Sequence, residues 1–320
     1  MIVLPFFVWL ASQRDSEMKI LNIGSLNIDY VYDVEHFVRR GETIPSANRS
    51  VFAGGKGLNQ SIALARAGAT VLHAGLIGQE GAHLCDLLSQ SGVDVSLVRV
   101  LPDCPTGHAV IQRDSDGDNC IVLYGGANAK VDETFIDAAL DSCEEGDWVL
   151  LQNETGSLGY AIKEAVHRGL KVILNPSPVN EYLMECPLDL VDCFVLNEGE
   201  ASLLSGSNKC DADILVDMHK KYPTAQVVLT LGERGSIAVG QDGEVFRQKA
   251  CRVDVVDTTA AGDTFTGYLL ASLSDGRGMA DALEVASAAS AIAVTRPGAS
   301  PSIPCLGEVL GSLETKKGWA

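Results

Sequence analysis

The residues with the clearest chemical promise lie in one run, Asp257-Thr258-Thr259-Ala260-Ala261-Gly262-Asp263-Thr264-Phe265. An apolar helical pattern follows from Phe265 to Leu273, and an apolar stretch that reads as a strand, Val253 to Val256, precedes it. The amides of Ala260, Ala261, Gly262 and Asp263 therefore open a helix, where unpaired N–H groups and the helix dipole attract anionic oxygens. Small side chains let a phosphate approach the main chain closely. Asp263 closes the turn, so its carboxylate could take a proton from a hydroxyl nucleophile beside that anion site. It could equally cap its helix, and this segment alone does not choose.

Further polar clusters share the look of ligand sites. Gly54-Gly55-Lys56-Gly57-Leu58-Asn59-Gln60 opens a helix of small residues but fails the nucleotide P-loop pattern, because Gly57 follows Lys56 where Ser or Thr is required. Its glycines would let a substrate reach the backbone, with Lys56 and Asn59 offering a donor and an amide to polyol oxygens, unless it is a bare turn with a solvated lysine. In Gly24-Ser25-Leu26-Asn27-Ile28-Asp29 the alternation lets Asn27 and Asp29 point the same way from an extended chain. Asn197-Glu198-Gly199-Glu200 has the form Asn-x-x-Glu, which is also an ordinary helix start. Thr230-Leu231-Gly232-Glu233-Arg234-Gly235 is a glycine turn at a strand end. Ala293 to Ser302 runs from a helix end into a turn with exposed carbonyls, or into a plain loop.

The elements that must position these groups read as a three-layer α/β sandwich, with a mostly parallel, doubly wound sheet. Short apolar runs (Ile20 to Ile23, Trp148 to Leu151, Val172 to Leu174, Phe194 to Leu196, Val227 to Leu229) alternate with longer helical patterns, as in βαβ units. Most runs end in polar residues: Gly24-Ser25, Gln152-Asn153-Glu154, Asn175, Asn197-Glu198, Thr230. In a parallel sheet these tips share the edge where open α/β sheets bind ligands. About residues 29–53 and 106–124 the pattern changes to alternating apolar and polar residues, with a hairpin at Asp116-Gly117-Asp118-Asn119. These segments predict a small extra sheet acting as a lid.

Bulk properties fit one domain over residues 18–320 of the 320, with residues 1–17 an extension outside the fold. Met1 to Ala11 is apolar but too short to span a bilayer, and no basic residue precedes it as in a secretory signal. The nine cysteines are scattered with no C-x-x-C pair, which predicts reduced thiols and a cytoplasmic protein. A net charge of −18 disfavours nucleic acid as a partner and obliges any nucleotide site to rely on backbone amides and a metal ion. No G-x-G-x-x-G opens the first βα unit, which disfavours a dinucleotide-dependent oxidoreductase.

Asp257 to Phe265 resembles the C-terminal signature of the ribokinase-like (PfkB) carbohydrate kinase family, Asp-Thr-x-Gly/Ala-Ala-Gly-Asp, and Gly54 to Asn59 resembles its N-terminal signature. The resemblance runs from Met18 to about Pro304 with the motifs in family order. It implies phosphoryl transfer from ATP to a sugar hydroxyl, with Asp263 as general base and Ala260 to Asp263 as the anion hole. By the same resemblance Asn27, Asp29, Gly55, Lys56, Asn59 and Glu154 bind the sugar. Asn197 and Glu200 organise Mg²⁺ through water, together with the ATP phosphates. Thr230 and Gly232, with Arg234, bind the nucleotide. Asp257, Thr259, Ala293, Arg296, Gly298 and Ser302 hold an activating K⁺.

The expected acceptor is the primary hydroxyl of D-ribose, with deoxyribose, fructose or a nucleoside as rivals and a non-catalytic sugar-binding regulator as a remoter one. A homodimer formed through the lid is expected. Departures from the family pattern are the N-terminal extension, the segment Tyr124 to Asn128, and Ser287, which stands where a larger adenine-contacting side chain can occur.

Overall fold

A computed structural model describes residues 18–115, 118–207 and 209–317. The predicted extension over residues 1–17 and the first half of the predicted hairpin turn, Asp116-Gly117, lie outside them.

Strand β1 (Lys19–Ile23) starts the main sheet, and β2 (Asn27–Asp33) and β3 (Asn48–Gly54) leave it for a second one. The main sheet resumes with β4 (Thr70–Ile77) and β5 (Asp94–Val100), the second with β6 (Gly107–Arg113) and β7 (Asn119–Tyr124). The main sheet then continues through β8 (Trp148–Gln152), β9 (Lys171–Asn175), β10 (Cys193–Asn197) and β11 (Gln226–Thr230) to β12 (Ser236–Val239) and β13 (Val245–Gln248). Its nine strands run in the order β13-β12-β11-β10-β9-β8-β1-β4-β5. All neighbours are parallel except at one edge, where β12 pairs antiparallel with both β11 and β13.

Period-two alternation decides which side chains enter which layer. Leu21, Ile23, Val149, Leu151, Val172, Leu174, Phe194 and Leu196 face one core, with helices α3 (Glu133–Leu140), α4 (Leu158–His167), α5 (Glu181–Met184), α6 (Glu198–Ser205) and α7 (Asp211–Lys221). Their neighbours Ile20, Trp148, Leu150, Ile173, Cys193 and Val195 face the other core. That core is covered by α1 (Lys56–Arg66), α2 (Ala82–Gln90), α8 (Ala261–Ser274), α9 (Met279–Ala293) and α10 (Leu306–Lys317). The doubly wound three-layer architecture expected from the sequence is therefore present, with a smaller sheet beside it.

The smaller sheet has the order β3-β2-β6-β7. Its outer strand is open along its length: Ile121, Val122, Leu123 and Tyr124 are 48–63% exposed. The stretch Val253 to Val256, expected as a strand, is irregular, and Val255 and Val256 are 62% exposed. The run does not add to the open edge of the sheet at β13, and Val253 and Val255 line a cleft instead. Among the described residues no helix is long and apolar enough to cross a membrane, and all nine cysteines are free.

Candidate active site

Helix α1 begins at the C-terminal end of β1 because Gly55 turns the chain with φ 98°, and a Cβ there would lie 2.8 Å from the Ser25 carbonyl oxygen. That start places Lys56, Asn59 and Gln60 in the first turns of the helix, over the sheet edge. Helix α8 lies against α1 through Gly267, where a Cβ would come within 2.3 Å of the Ala63 methyl. The contact brings the start of α8 to the start of α1.

Asp263 is the meeting point. Its Oδ1 accepts from Gln60 Nε2 at 2.9 Å and its Oδ2 from Asn59 Nδ2 at 3.0 Å. The helix takes no side-chain cap at Ala260, so the carboxylate is committed to α1 rather than to capping its own helix. Ala260 itself adopts the left-handed conformation, φ 58°, which turns the chain into α8. Of the four amides expected to receive an anion, that of Ala261 is used internally, 3.2 Å from the Thr258 carbonyl oxygen. Gly262 and Asp263 have no backbone acceptor among the described residues, and both line a cleft of about 230 Å³.

One side of this centre is rich in carboxylates. Asn27 and Asp29 are alternate residues of β2, and Asn27 Oδ1 is held by Asn128 Nδ2 at 2.8 Å. Glu154, just past β8, accepts from the Ser25 hydroxyl and from the Lys56 backbone N–H. Burial, with the neighbouring Glu154 carboxylate adding to it, pushes Asp29 up to about 6. Burial also raises Glu154, against the opposing pull of Lys56 and the Ser25 hydroxyl. Burial would lower Lys56, but the charges of Asp263, Glu154 and Glu200 outweigh it and hold its ammonium above the usual range. Asn59 Oδ1 is buried and has no partner among the described residues, an acceptor suited to a ligand hydroxyl.

On the other side lies a cleft of about 970 Å³. Thr230, Gly232, Arg234 and Ser287, named from the sequence, all line it, as do Thr258, Ala261 and Gly262, which it shares with the smaller cleft. The two cavities thus meet at the N-terminus of α8. The sequence reading missed Phe265, Ser290 and Ala291 as lining residues. Ser287, Ser290, Ala291 and Val294 fall at helical spacing on one face of α9 and its end, a stripe of small residues that was readable.

Asn197 and Glu200 form a reciprocal capping box at the start of α6: Asn197 Oδ1 accepts from the Glu200 N–H at 2.9 Å, and Glu200 Oε2 from the Asn197 N–H at 3.0 Å. The ordinary helix-start reading is therefore realised in full, and both residues also line the smaller cleft with Lys56 and Asp263. Arg234 pairs with Glu198 across the neighbouring turns.

Mg²⁺ was expected at this pair. Their carboxylate and amide oxygens are hard donors of the kind it takes, and among the described residues no three acidic, His or Cys side chains cluster to hold a metal. An ion here would keep much of its water, as Mg²⁺ does. K⁺ was expected around Asp257. Asp257 Oδ2 accepts from the Gly298 N–H at 2.8 Å and Oδ1 from the Thr259 N–H and hydroxyl, which ties the two turns together. Burial works against its charge, but these bonds prevail and hold the carboxyl below the usual range. A charged carboxylate oxygen is a hard donor and suits a hard monovalent cation in donor type. All six residues named are partly engaged: beside the bonds joining Asp257, Thr259 and Gly298, the Ala293 carbonyl accepts from the Arg296 N–H at 3.1 Å, the Arg296 side chain pairs with Glu308, and the Ser302 hydroxyl donates to the Ala299 carbonyl at 2.7 Å.

Known proteins share the sequence pattern and the fold of this chain. A model of the pfkB family carbohydrate kinases matches residues 18–305. The chain is 36% identical over 299 residues to the ribokinase of Haemophilus influenzae, covering 91% of this chain and 97% of that protein. The crystal structure of Cryptococcus neoformans ribokinase in complex with ADP aligns with a TM-score of 0.81 at 33% identity, covering 92% of this chain and 99% of that one. Arabidopsis thaliana ribokinase complexed with ribose and ATP aligns with a TM-score of 0.82 at 30% identity, covering 92% and 98%.

Proposed function

The chain belongs to the pfkB family of carbohydrate kinases, and we propose that it transfers the γ-phosphoryl group of ATP to the primary hydroxyl of D-ribose, giving D-ribose 5-phosphate. The observation that carries this reading is the position of Asp263, gripped by Asn59 and Gln60 where a polar, acidic site and a long cleft meet at a helix N-terminus.

In this reading Asn27, Asp29, Gly55, Lys56, Asn59 and Glu154 bind and orient the sugar. Asp263 accepts the proton of the attacking hydroxyl, so that the oxygen meets the phosphorus as an alkoxide-like nucleophile. The amides of Gly262 and Asp263, with Ala260 and Ala261 completing the turn, face the charge that develops on the transferring group. Lys56 adds a fixed positive charge nearby. Thr230, Gly232, Arg234 and Ser287 hold the nucleotide in the larger cleft. Mg²⁺, held through water by Asn197 and Glu200, would supply further positive charge to the phosphate oxygens. Asp257, Thr259, Ala293, Arg296, Gly298 and Ser302 would hold K⁺ beside the anion hole.

The smaller sheet would close over the sugar as a lid, and its exposed apolar strand β7 would bury against a second copy of the chain in a homodimer. The free cysteines suit the reducing cytoplasm.

The decisive experiment is coupled ADP release with Mg²⁺ and K⁺, comparing kcat/KM across ribose, deoxyribose, fructose and adenosine. Turnover highest with ribose supports the assignment, and turnover highest with another acceptor reassigns the substrate within the same family.

A further inference from the structure

Gln60 ends the Gly54–Gln60 run and binds neither sugar nor nucleotide in the reading above, yet its side chain is fully buried and each end of its amide is engaged. Its Nε2 donates to Asp263 Oδ1 at 2.9 Å and lies 3.3 Å from Asn175 Oδ1, while its Oε1 accepts from Gln152 Nε2 at 2.8 Å. A side-chain amide can turn end for end, exchanging donor for acceptor. A Gln60 turned that way would aim a carbonyl oxygen at the carboxylate and repel it.

A buried chain of amides forbids that. The Gly57 carbonyl can only accept, so Asn22 presents Nδ2 to it, 2.8 Å away. Asn22 Oδ1 is thereby left to accept from Gln152 Nε2 at 3.0 Å. Gln152 Nε2 also donates to Gln60 Oε1, which leaves the Gln60 NH₂ group facing Asp263. Asn22, Gln152 and Gln60 are all 0% exposed, so water does not compete for these bonds. The order starts at a main-chain carbonyl of α1 and ends on the carboxylate.

We propose that Gln60 is a positioning residue for Asp263, with Asn22 and Gln152 fixing the sense of its amide so that the carboxylate is always met by a donor and held in one rotation. The inference rests on reading Asp263 as the general base. Gln60 donates to the oxygen opposite the one Asn59 engages, and its own polar atoms are taken by protein partners. Its loss should therefore act on the chemical step and leave sugar and nucleotide binding intact.

The test uses the full chain with ribose and ATP, comparing Gln60→Met, Gln60→Glu and Gln152→Met with Asp263→Asn. Gln60→Met, which keeps the shape and loses the donor, should lower kcat about 10- to 100-fold with KM for both substrates within about twofold. Gln152→Met, one link removed, should give a smaller loss of kcat with the same split. Gln60→Glu sets a second carboxyl against Asp263, which can donate to it only while the pair shares a proton; once both are ionised they repel, so its deficit should widen between about pH 6 and about pH 9.

Calorimetric ATP binding identifies folded protein, and if Gln60→Met fails that check, Gln152→Met carries the same comparison. Loss through KM alone, or a Gln60→Glu profile that overlays wild type, overturns the proposal. Near-wild-type turnover by Asp263→Asn overturns the base assignment and this role with it. An inactive Asp263→Asn beside a fully active Gln60→Met overturns this role alone.

Discussion

Asn59 Nδ2 donates to Asp263 Oδ2 at 3.0 Å, while the next residue of the same helix grips the other carboxylate oxygen at 2.9 Å. Consecutive residues diverge around a helix, so two adjacent side chains can reach the two oxygens of one carboxylate. A group held at both oxygens loses little further freedom when a hydroxyl arrives, which is the condition for efficient proton acceptance. Asp263→Asn keeps the volume but removes the acceptor and sets an NH₂ group against one of the two donors. We expect kcat to fall about 10²- to 10⁴-fold, with KM for ATP changed by no more than a few-fold. Steady-state kinetics with a parallel ATP-binding titration checks this, and turnover above one-tenth of wild type would remove Asp263 from the role of base.

Asp29 provides a pH signature. Its carboxyl is pushed up to about 6 by burial and by Glu154, so it is ionised, and able to accept sugar hydroxyls at both oxygens, only above that pH. We expect kcat/KM for ribose to decline below about pH 6, approaching tenfold per pH unit. Asp29→Asn should flatten that limb while lowering kcat/KM about 10- to 100-fold at slightly alkaline pH, because the amide cannot replace the second acceptor. A wild-type profile that stays level well below pH 6 would show that sugar binding does not depend on the Asp29 carboxylate.

What was legible in the sequence depends on how local its cause is. The parallel strands were readable because their side chains are buried on both faces and alternate between two cores, and their polar tips, such as Asn197 and Thr230, could be placed on one edge. The turn before α8 was readable because its residues are neighbours in the chain. Val253 to Val256 misled because apolar content is only half the requirement for a strand: the other half is backbone pairing, and this run leaves the β13 edge unpaired while Val253 and Val255 line the larger cleft. The links from Gln60 to Asp263 and to Gln152 were invisible because they join residues 203 and 92 positions apart. Nothing local distinguishes a glutamine that orients a carboxylate from one that rests on a surface.

Gly267 tests whether helix packing alone sets the position of the base. A Cβ at this position would lie 2.3 Å from the Ala63 Cβ and 2.8 Å from the Leu64 N, so the helices must separate to admit it. Gly267→Ala should therefore cost about 1–3 kcal/mol of stability, as overpacking does. Because Asp263 sits one turn away on α8, kcat should also fall, by about tenfold or more for a displacement near 1 Å. Chemical denaturation and kcat on the same preparation check both. Loss of stability with kcat untouched would mean that the Asn59 and Gln60 bonds hold Asp263 regardless of how closely α1 and α8 pack.

His73 links the support of the site to the stability of the fold. It is 0% exposed on β4, with Nδ1 2.8 Å from Ser61 Oγ, and Ser61 Oγ in turn accepts from Asn22 Nδ2 at 2.8 Å. Burial pushes the imidazole down to about 4, against a smaller opposing contribution from the Gly24 backbone. In the unfolded chain the ring titrates near its ordinary 6.5. Between those values the unfolded chain binds more protons than the folded one, so the contribution is fully present above about pH 6.5 and is lost as pH falls toward 4. The span is worth about 3 kcal/mol at most. Asp29 and Glu154 act in the opposite sense, since their raised carboxyls favour the folded state on acidification. Total stability therefore mixes the two effects, and the difference between wild type and His73→Gln isolates the first. Urea unfolding at several pH values should show that this difference shifts against wild type as the solution is acidified below about pH 6.5, because only wild type carries a buried ring that must stay neutral to remain folded. Parallel stability curves for the two proteins over that range would mean that His73 takes up its proton without leaving the folded state.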